Sequence, residues 1–194
     1  MTQQEIKTIA LVGGGVIGGG WATRCLANGL NVVVTDPRPE SRDYVERMID
    51  EAWPILEEAD LIAESSGQLS FVDNIEAAVA QADFVQENVP EREDLKIAIH
   101  QEISENVRAD VVIASSSSGL LPSRLQSQCK HPERLLIGHP FAPVYLLPLV
   151  EVVGSEQTSS VAVSRAGAFY RSIGMRPLHV RREIEAYIAD RLQE

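Results

Sequence analysis

The run Gly13-Gly14-Gly15-Val16-Ile17-Gly18 follows directly on a short apolar stretch, Ile9–Val12, and opens a helical pattern over Val16–Asn28. Glycines cluster by chance in ordinary turns, so the run alone constrains little. The strand before it and the helix after it constrain a great deal. In that setting Gly13 permits a tight turn, Gly15 lets a pyrophosphate approach the backbone, and Gly18 lets helix and strand pack closely. The helix N-terminus adds free N–H groups and the positive end of its dipole. A second strand, Asn31–Thr35, ends at Asp36, 18 residues beyond Gly18. A carboxylate there accepts hydrogen bonds from the ribose hydroxyls of an adenine dinucleotide and repels a 2′-phosphate. The chain therefore reads as a Rossmann-type domain with NAD as its cofactor and Gly13, Gly15, Val16, Ile17, Gly18 and Asp36 as the binding candidates. Arg38, two places on, is able to bind a phosphate, but Asp36 is expected to prevail.

The rest of the chain extends the same pattern. Apolar, β-branched runs recur at Val32–Val34, Phe84–Val85, Val111–Ala114, Leu135–Ile137 and Val150–Val153. Strands without polar alternation are buried on both faces, as in a parallel sheet covered by helices. Between them, Val16–Asn28 stops at Gly29. Glu93–Val107 carries Leu95, Ile99 and Ile103 as one apolar stripe, and Ala162, Ala166, Phe169 and Ile173 repeat at helical spacing. Alternation of this kind predicts an α/β, doubly wound, mostly parallel sheet with helices on both faces. Ser41–Ala59 is a long helical pattern in which Pro54 should kink the helix or end its first part. With the short strand candidate Leu69–Val72 after it, residues 41–68 read as a helical insert beside the nucleotide site. The dinucleotide domain is expected over 1–183. From Ile184 a new helix is expected to begin, and 184–194 reads as the opening of an element whose remainder is absent.

Composition narrows the partners. A chain of 194 residues with 44% hydrophobic content suits one well-buried core. The net charge of −11 repels nucleic acid and acidic lipid at long range, while backbone N–H groups still capture an anionic cofactor. Neither a nucleic-acid nor a membrane partner is expected: Met1–Lys7 is polar and no run is long enough to span a bilayer. Cys25 and Cys129 have no second cysteine or histidine at metal-ligand spacing, so they read as reduced thiols and no metal site is expected. The expected location is cytoplasmic.

A second set of motifs follows in order: Ser115-Ser116-Ser117-Ser118-Gly119, then Gly138-His139-Pro140-Phe141-Ala142-Pro143, then Leu149-Val150-Glu151-Val152. Hydroxyl, imidazole and carboxylate are what alcohol oxidation by NAD requires. The imidazole takes the hydroxyl proton, the carboxylate fixes its tautomer, and a serine positions the substrate oxygen. Each residue also has a plainer reading: a buried structural histidine, a strand glutamate facing solvent, a polar serine loop. Residue types and spacing carry both.

The glycine loop, Asp36, the serine run, the His-Pro-Phe segment and the Val-Glu-Val strand together resemble the L-3-hydroxyacyl-CoA dehydrogenase superfamily. Leu136–Phe141, Val144–Val153, Gly174–Arg181, Trp21 and Ala52-Trp53-Pro54 resemble its carnitine dehydrogenase branch in particular. The resemblance implies that His139 is the general base paired with Glu151, that Ser118 contacts substrate and nicotinamide, and that Glu91 and Lys96 contact the cofactor. From the residues alone, Lys96 is equally a solvated helix lysine and Glu91 a first-turn carboxylate favoured by the helix dipole. It further implies oxidation of a small 3-hydroxy acid, L-carnitine foremost, and a homodimer in a longer form. Alternatives are another 3-hydroxy acid of L-gulonate or 3-hydroxyacyl-CoA type, or a module that binds NAD without turnover. Three departures stand out. Ala142 replaces the usual Asn, Ala186-Tyr187 replaces the usual Gly-Phe, and of the family's helical domain only Ile184–Glu194 is present, with Asp190 where a site polar residue occurs.

Charge bears on the substrate. Between Arg47 and Arg92 there is no lysine or arginine, while Asp50, Glu51, Glu57, Glu58, Asp60 and Glu64 crowd one stretch. Such a region is expected to repel a CoA ester and to favour a trimethylammonium group, for which Trp53, Phe141 and Tyr145 supply aromatic faces. Core packing is the plainer role for each ring.

Overall fold

The computed structural model describes residues 5–64, 67–188 and 191. Eight strands form one sheet: β1 (Thr8–Val12), β2 (Asn31–Thr35), β3 (Leu69–Phe71), β4 (Phe84–Glu87), β5 (Val112–Ser115), β6 (Leu135–Pro140), β7 (Leu149–Val153) and β8 (Arg176–Val180). Their spatial order is β3-β2-β1-β4-β5-β6-β7-β8, and every neighbouring pair is parallel except β6 with β7. The chain thus builds outward from β1 in one direction and then, from β4, in the other. The reversal leaves a crevice at the carboxyl ends of β1 and β4, where the glycine loop lies.

Strand alternation divides the core. Ile9 and Leu11 of β1 join the layer formed with α1 (Val16–Ala27), α2 (Ser41–Glu58) and a later helix over Ser160–Ser172. Ala10 and Val12 face the opposite layer, with α3 (Ile75–Val79) and α4 (Glu93–Asn106). A short α5 (Pro122–Leu125) joins that second layer, and the Ser160–Ser172 helix is α6. On α6, Ala162, Ala166, Phe169 and Ile173 are buried as their spacing predicts, and Phe169 stacks on Phe84 with ring centres 4.2 Å apart. α1 ends as read, with Gly29 at φ 79° just past its cap.

Four expectations change. α2 runs unbroken through Pro54 to Glu58. Pro54 is exposed, so the carbonyl it leaves unbonded can be hydrated, and buried Val45, Ala52 and Leu56 hold the helix to the sheet on both sides. The stretch 41–68 is consequently the crossover from β2 to β3, which pairs parallel with β2. The buried face of α4 is Lys96, His100, Ile103 and Ser104, whereas Leu95 and Ile99 are only partly covered. Finally, residues 185–188 form a turn in place of a helix, with Ala186 and Tyr187 at φ 59° and 31°, because the Tyr187 side chain is drawn into the core. Asp190 lies outside the described residues. β8, the edge strand, was not anticipated. Among the described residues no helix is long and apolar enough to cross a membrane.

Candidate active site

At the end of β1 the chain turns through Gly13 at φ 102°, and its N–H donates to Thr35 O at 2.8 Å. A β-carbon on Gly13 would sit 2.8 Å from the Asn88 backbone, and one on Gly18 only 1.9 Å from Gly13 O. These two glycines therefore set the loop, while Gly15 faces open space whose nearest atom is Nη2 of Arg38. Val16 begins α1, and no side chain caps the helix, leaving its first N–H groups turned to the crevice. A cavity of about 870 Å³ opens there, lined among others by Gly13, Gly15, Asp36, Glu91, Ser118 and His139. Val16, Ile17 and Lys96 line it too. Gly18 serves the helix–strand contact and is absent from that lining.

Asp36 is nearly buried and saturated. Its Oδ2 accepts from Gly14 N at 2.7 Å and Arg38 Nη2 at 2.8 Å; its Oδ1 accepts from Arg38 N at 2.9 Å and Nε at 3.0 Å. Burial alone would raise the Asp36 carboxyl; the bonds from Arg38 and Gly14 outweigh it and hold the group below the usual carboxylate range.

On the far wall, His139 of β6 and Glu151 of β7 are directly opposed in the one antiparallel pair of the sheet. Strand pleating puts both side chains on one face, and His139 Nδ1 lies 2.8 Å from Glu151 Oε2. Glu151 is 1% exposed, so the solvent-facing reading of this residue fails. Its other oxygen, Oε1, accepts from Ile188 N at 3.1 Å. Phe141 and Tyr187 flank the imidazole at 5.4 and 6.0 Å between ring centres. With Nδ1 engaged by a carboxylate, Nε2 is the nitrogen left for proton transfer.

The serine run serves four separate purposes. Ser115 Oγ donates to Glu87 Oε2 at 2.6 Å, Ser116 Oγ to Asn88 Oδ1 at 2.7 Å, and Ser117 Oγ to Glu91 Oε1. Ser118 lines the cavity, its N–H donating to Glu91 Oε1 at 3.2 Å. Glu91 thereby fixes the backbone that presents Ser118. Beneath lies a buried ionic cluster that sequence reading missed. Glu87 is fully buried, with Lys96 Nζ at 2.7 Å from Oε1 and His100 Nε2 at 3.0 Å from Oε2. Burial pushes the Glu87 carboxyl up, but His100 and Lys96 beside it bring it down to about 2. Lys96 also donates to Val89 O at 3.0 Å and stands 3.5 Å from Glu91 Oε2, which rules out the solvated-lysine reading. The signal was available in Lys96 and His100, polar residues one turn apart on α4.

The aromatic and acidic candidates separate. Trp53 packs against the core beneath α2 and lines a different groove, with Glu46 and Asp50. None of the six carboxylates from Asp50 to Glu64 lines the cavity with His139, whose lining carboxylates are Asp36, Asp73, Glu91 and Glu102. Of the three rings, Phe141 stands beside His139. Both cysteines are free thiols, Cys25 pushed up to about 12 and Cys129 to about 11 by burial.

The profile described as 3-hydroxyacyl-CoA dehydrogenase, NAD binding domain, matches residues 8–184. L-carnitine dehydrogenase of Pseudomonas aeruginosa is 53% identical over 191 residues, covering 98% of this chain and 60% of that protein. A solved 5-formyl-3-hydroxy-2-methylpyridine 4-carboxylic acid 5-dehydrogenase, described as an NAD+-dependent dismutase, superposes with a TM-score of 0.91 at 31% identity. That match covers 97% of this chain and 62% of the other. The (S)-3-hydroxybutyryl-CoA dehydrogenase of Ralstonia eutropha gives 0.88 at 25% identity, covering 97% and 68%. The chain spans about three fifths of the length of the curated relatives it matches.

Proposed function

The chain belongs to the family of 3-hydroxyacyl-CoA dehydrogenase NAD-binding domains, and on that premise we propose that it carries the cofactor site and proton-transfer dyad of an NAD-dependent 3-hydroxy-acid dehydrogenase acting on L-carnitine. The residues present fit the cofactor: an uncapped helix N-terminus, open space over Gly15 and a buried carboxylate at the end of β2 all face one cavity. NAD bound there supplies a hydride acceptor.

The observation that carries the reading is the 2.8 Å contact of His139 Nδ1 with Glu151 Oε2 on a wall of that cavity. His139 takes the proton of the substrate hydroxyl at Nε2. Glu151 holds the Nδ1 proton and balances the imidazolium charge in a setting of low dielectric. Ser118 orients the substrate oxygen. Gly13, Gly15, Val16 and Ile17 would hold the pyrophosphate of NAD, Gly18 keeps the loop closed on β1, and Asp36 would meet the ribose. Lys96, its ammonium engaged by Glu87, Val89 O and Glu91, shapes the 88–91 loop, which together with Glu91 would help hold the cofactor. The choice of L-carnitine rests on the names of relatives near 50% identity and on Phe141 beside the imidazole. A homodimer in a longer form belongs to the same proposal.

The test is NADH formation with L-carnitine, L-gulonate and 3-hydroxybutyryl-CoA. Each is offered to this chain and to one lengthened with the C-terminal part of the Pseudomonas aeruginosa relative. L-carnitine should be turned over best. Faster use of either competitor would overturn the substrate assignment, and NADH binding with no turnover in either form would reduce the reading to a cofactor-binding module.

A further inference from the structure

We propose that Arg38 is a specificity-determining residue of the cofactor site, a phosphate-binding cation held on Asp36 that admits NADP(H) far more readily than an aspartate at this position would on its own. The inference rests on the NAD-site reading above. A carboxylate offers about four acceptor positions. All four on Asp36 are taken, two by backbone N–H groups of Gly14 and Arg38 and two by the guanidinium. A ribose hydroxyl therefore needs one of these donors to leave. The backbone donors belong to the loops that shape the site and cannot withdraw without moving them. The guanidinium can, because the Arg38 side chain is 55% exposed and ion pairs so exposed are weakly held.

Its reach is short: Nη2 stands 2.8 Å from Asp36 Oδ2, the acceptor a ribose hydroxyl would use, so a phosphate on that ribose would meet it with little movement. Arg38 lines the same cavity. A guanidinium matches phosphate oxygens with two parallel N–H bonds. In its present position it also cancels the negative charge that would turn a 2′-phosphate away. The Asp36 carboxyl is lowered and the Arg38 guanidinium raised by their mutual bonding, so both are charged at neutral pH.

Calorimetric titration of NADH and NADPH, with 5′-AMP and 2′,5′-adenosine diphosphate as probes of the adenosine end, tests this on the wild-type chain, Arg38→Ala, Asp36→Ala and the double variant. Arg38→Ala should weaken NADPH and 2′,5′-adenosine diphosphate about tenfold, the loss of a charge-assisted phosphate contact, and change NADH less than about threefold. Asp36→Ala should tighten NADPH only while Arg38 is present. An NADPH-to-NADH ratio unmoved by Arg38→Ala, or an equal NADPH gain in the double variant, would overturn the proposal while NADH binding stands. Wild-type protein that binds neither cofactor would overturn the cofactor reading along with it.

Discussion

His139 and Glu151 were legible as residue types in order, while their partnership came from the family resemblance and not from spacing, because contact across twelve positions is made by strand pairing. In the proposed mechanism the imidazole is the proton acceptor. His139→Ala should therefore lower turnover about 10²–10⁴-fold in the form that turns over, with the Kd for NADH unchanged; steady-state rates beside a binding titration check both halves. Glu151→Gln should cost less, since an amide oxygen still accepts from Nδ1–H although the charge balance is lost. Ala186 was singled out as a departure from glycine, and its φ of 59° gives the reason glycine suits the position. A β-carbon in that region costs about 1–2 kcal/mol. Ala186→Gly should stabilise the chain by about 1 kcal/mol in urea unfolding, with part of the relief offset by the greater freedom of glycine in the unfolded chain. Glu87 escaped notice because burial of charge leaves no mark in composition, and His100 because the apolar stripe of α4 outweighed the polar pair it makes with Lys96 one turn away. The cluster shows once Lys96 and His100 are seen beside Glu87 at the carboxyl end of β4.

Among the elements, α4 was the instructive misreading. Leu95, Ile99 and Ile103 form an apolar stripe on paper, yet the helix turns Lys96 and His100 inward, where Glu87 at the end of β4 pairs with the Lys96 ammonium and stands 3.0 Å from His100 Nε2. Leu95 and Ile99 are left to line the cofactor cavity. β8 went unseen for a different reason. An edge strand with Pro177 inside it and exposed Leu178 lacks the burial that makes a pattern. The β4–α4 ion cluster has a measurable consequence. Glu87→Gln leaves Lys96 buried beside a neutral group and should cost about 3–5 kcal/mol at pH 7. The pH dependence has a definite sign. The native carboxyl sits at about 2, below the roughly 4.3 of an unfolded glutamate, so its contribution is complete above about pH 5 and is lost as pH falls toward 2. Urea unfolding of both proteins from pH 7 to pH 3 should show the wild-type advantage shrinking with acid.

At the scale of the whole molecule, the alternation of strands and helices and the glycine loop made the doubly wound sheet readable, since each strand's register is dictated by burial on both faces. The placement of surface charge was not readable: the carboxylates from Asp50 to Glu64 lie away from the lining of the cavity. They act only through the field of a chain with net charge −11. Such a field reaches across a domain at low salt, where the Debye length is about 30 Å, and collapses to about 10 Å at 0.1 M. The kcat/KM for a CoA ester should therefore rise as salt is added, while that for zwitterionic L-carnitine stays nearly level; rates at two ionic strengths decide it. One local feature links this scale to the first. Ile188 N–H is hooked onto Glu151 Oε1, and the other oxygen of that carboxylate steadies His139. One carboxylate thus serves both as the brace of the imidazole and as a mooring for the backbone that follows β8.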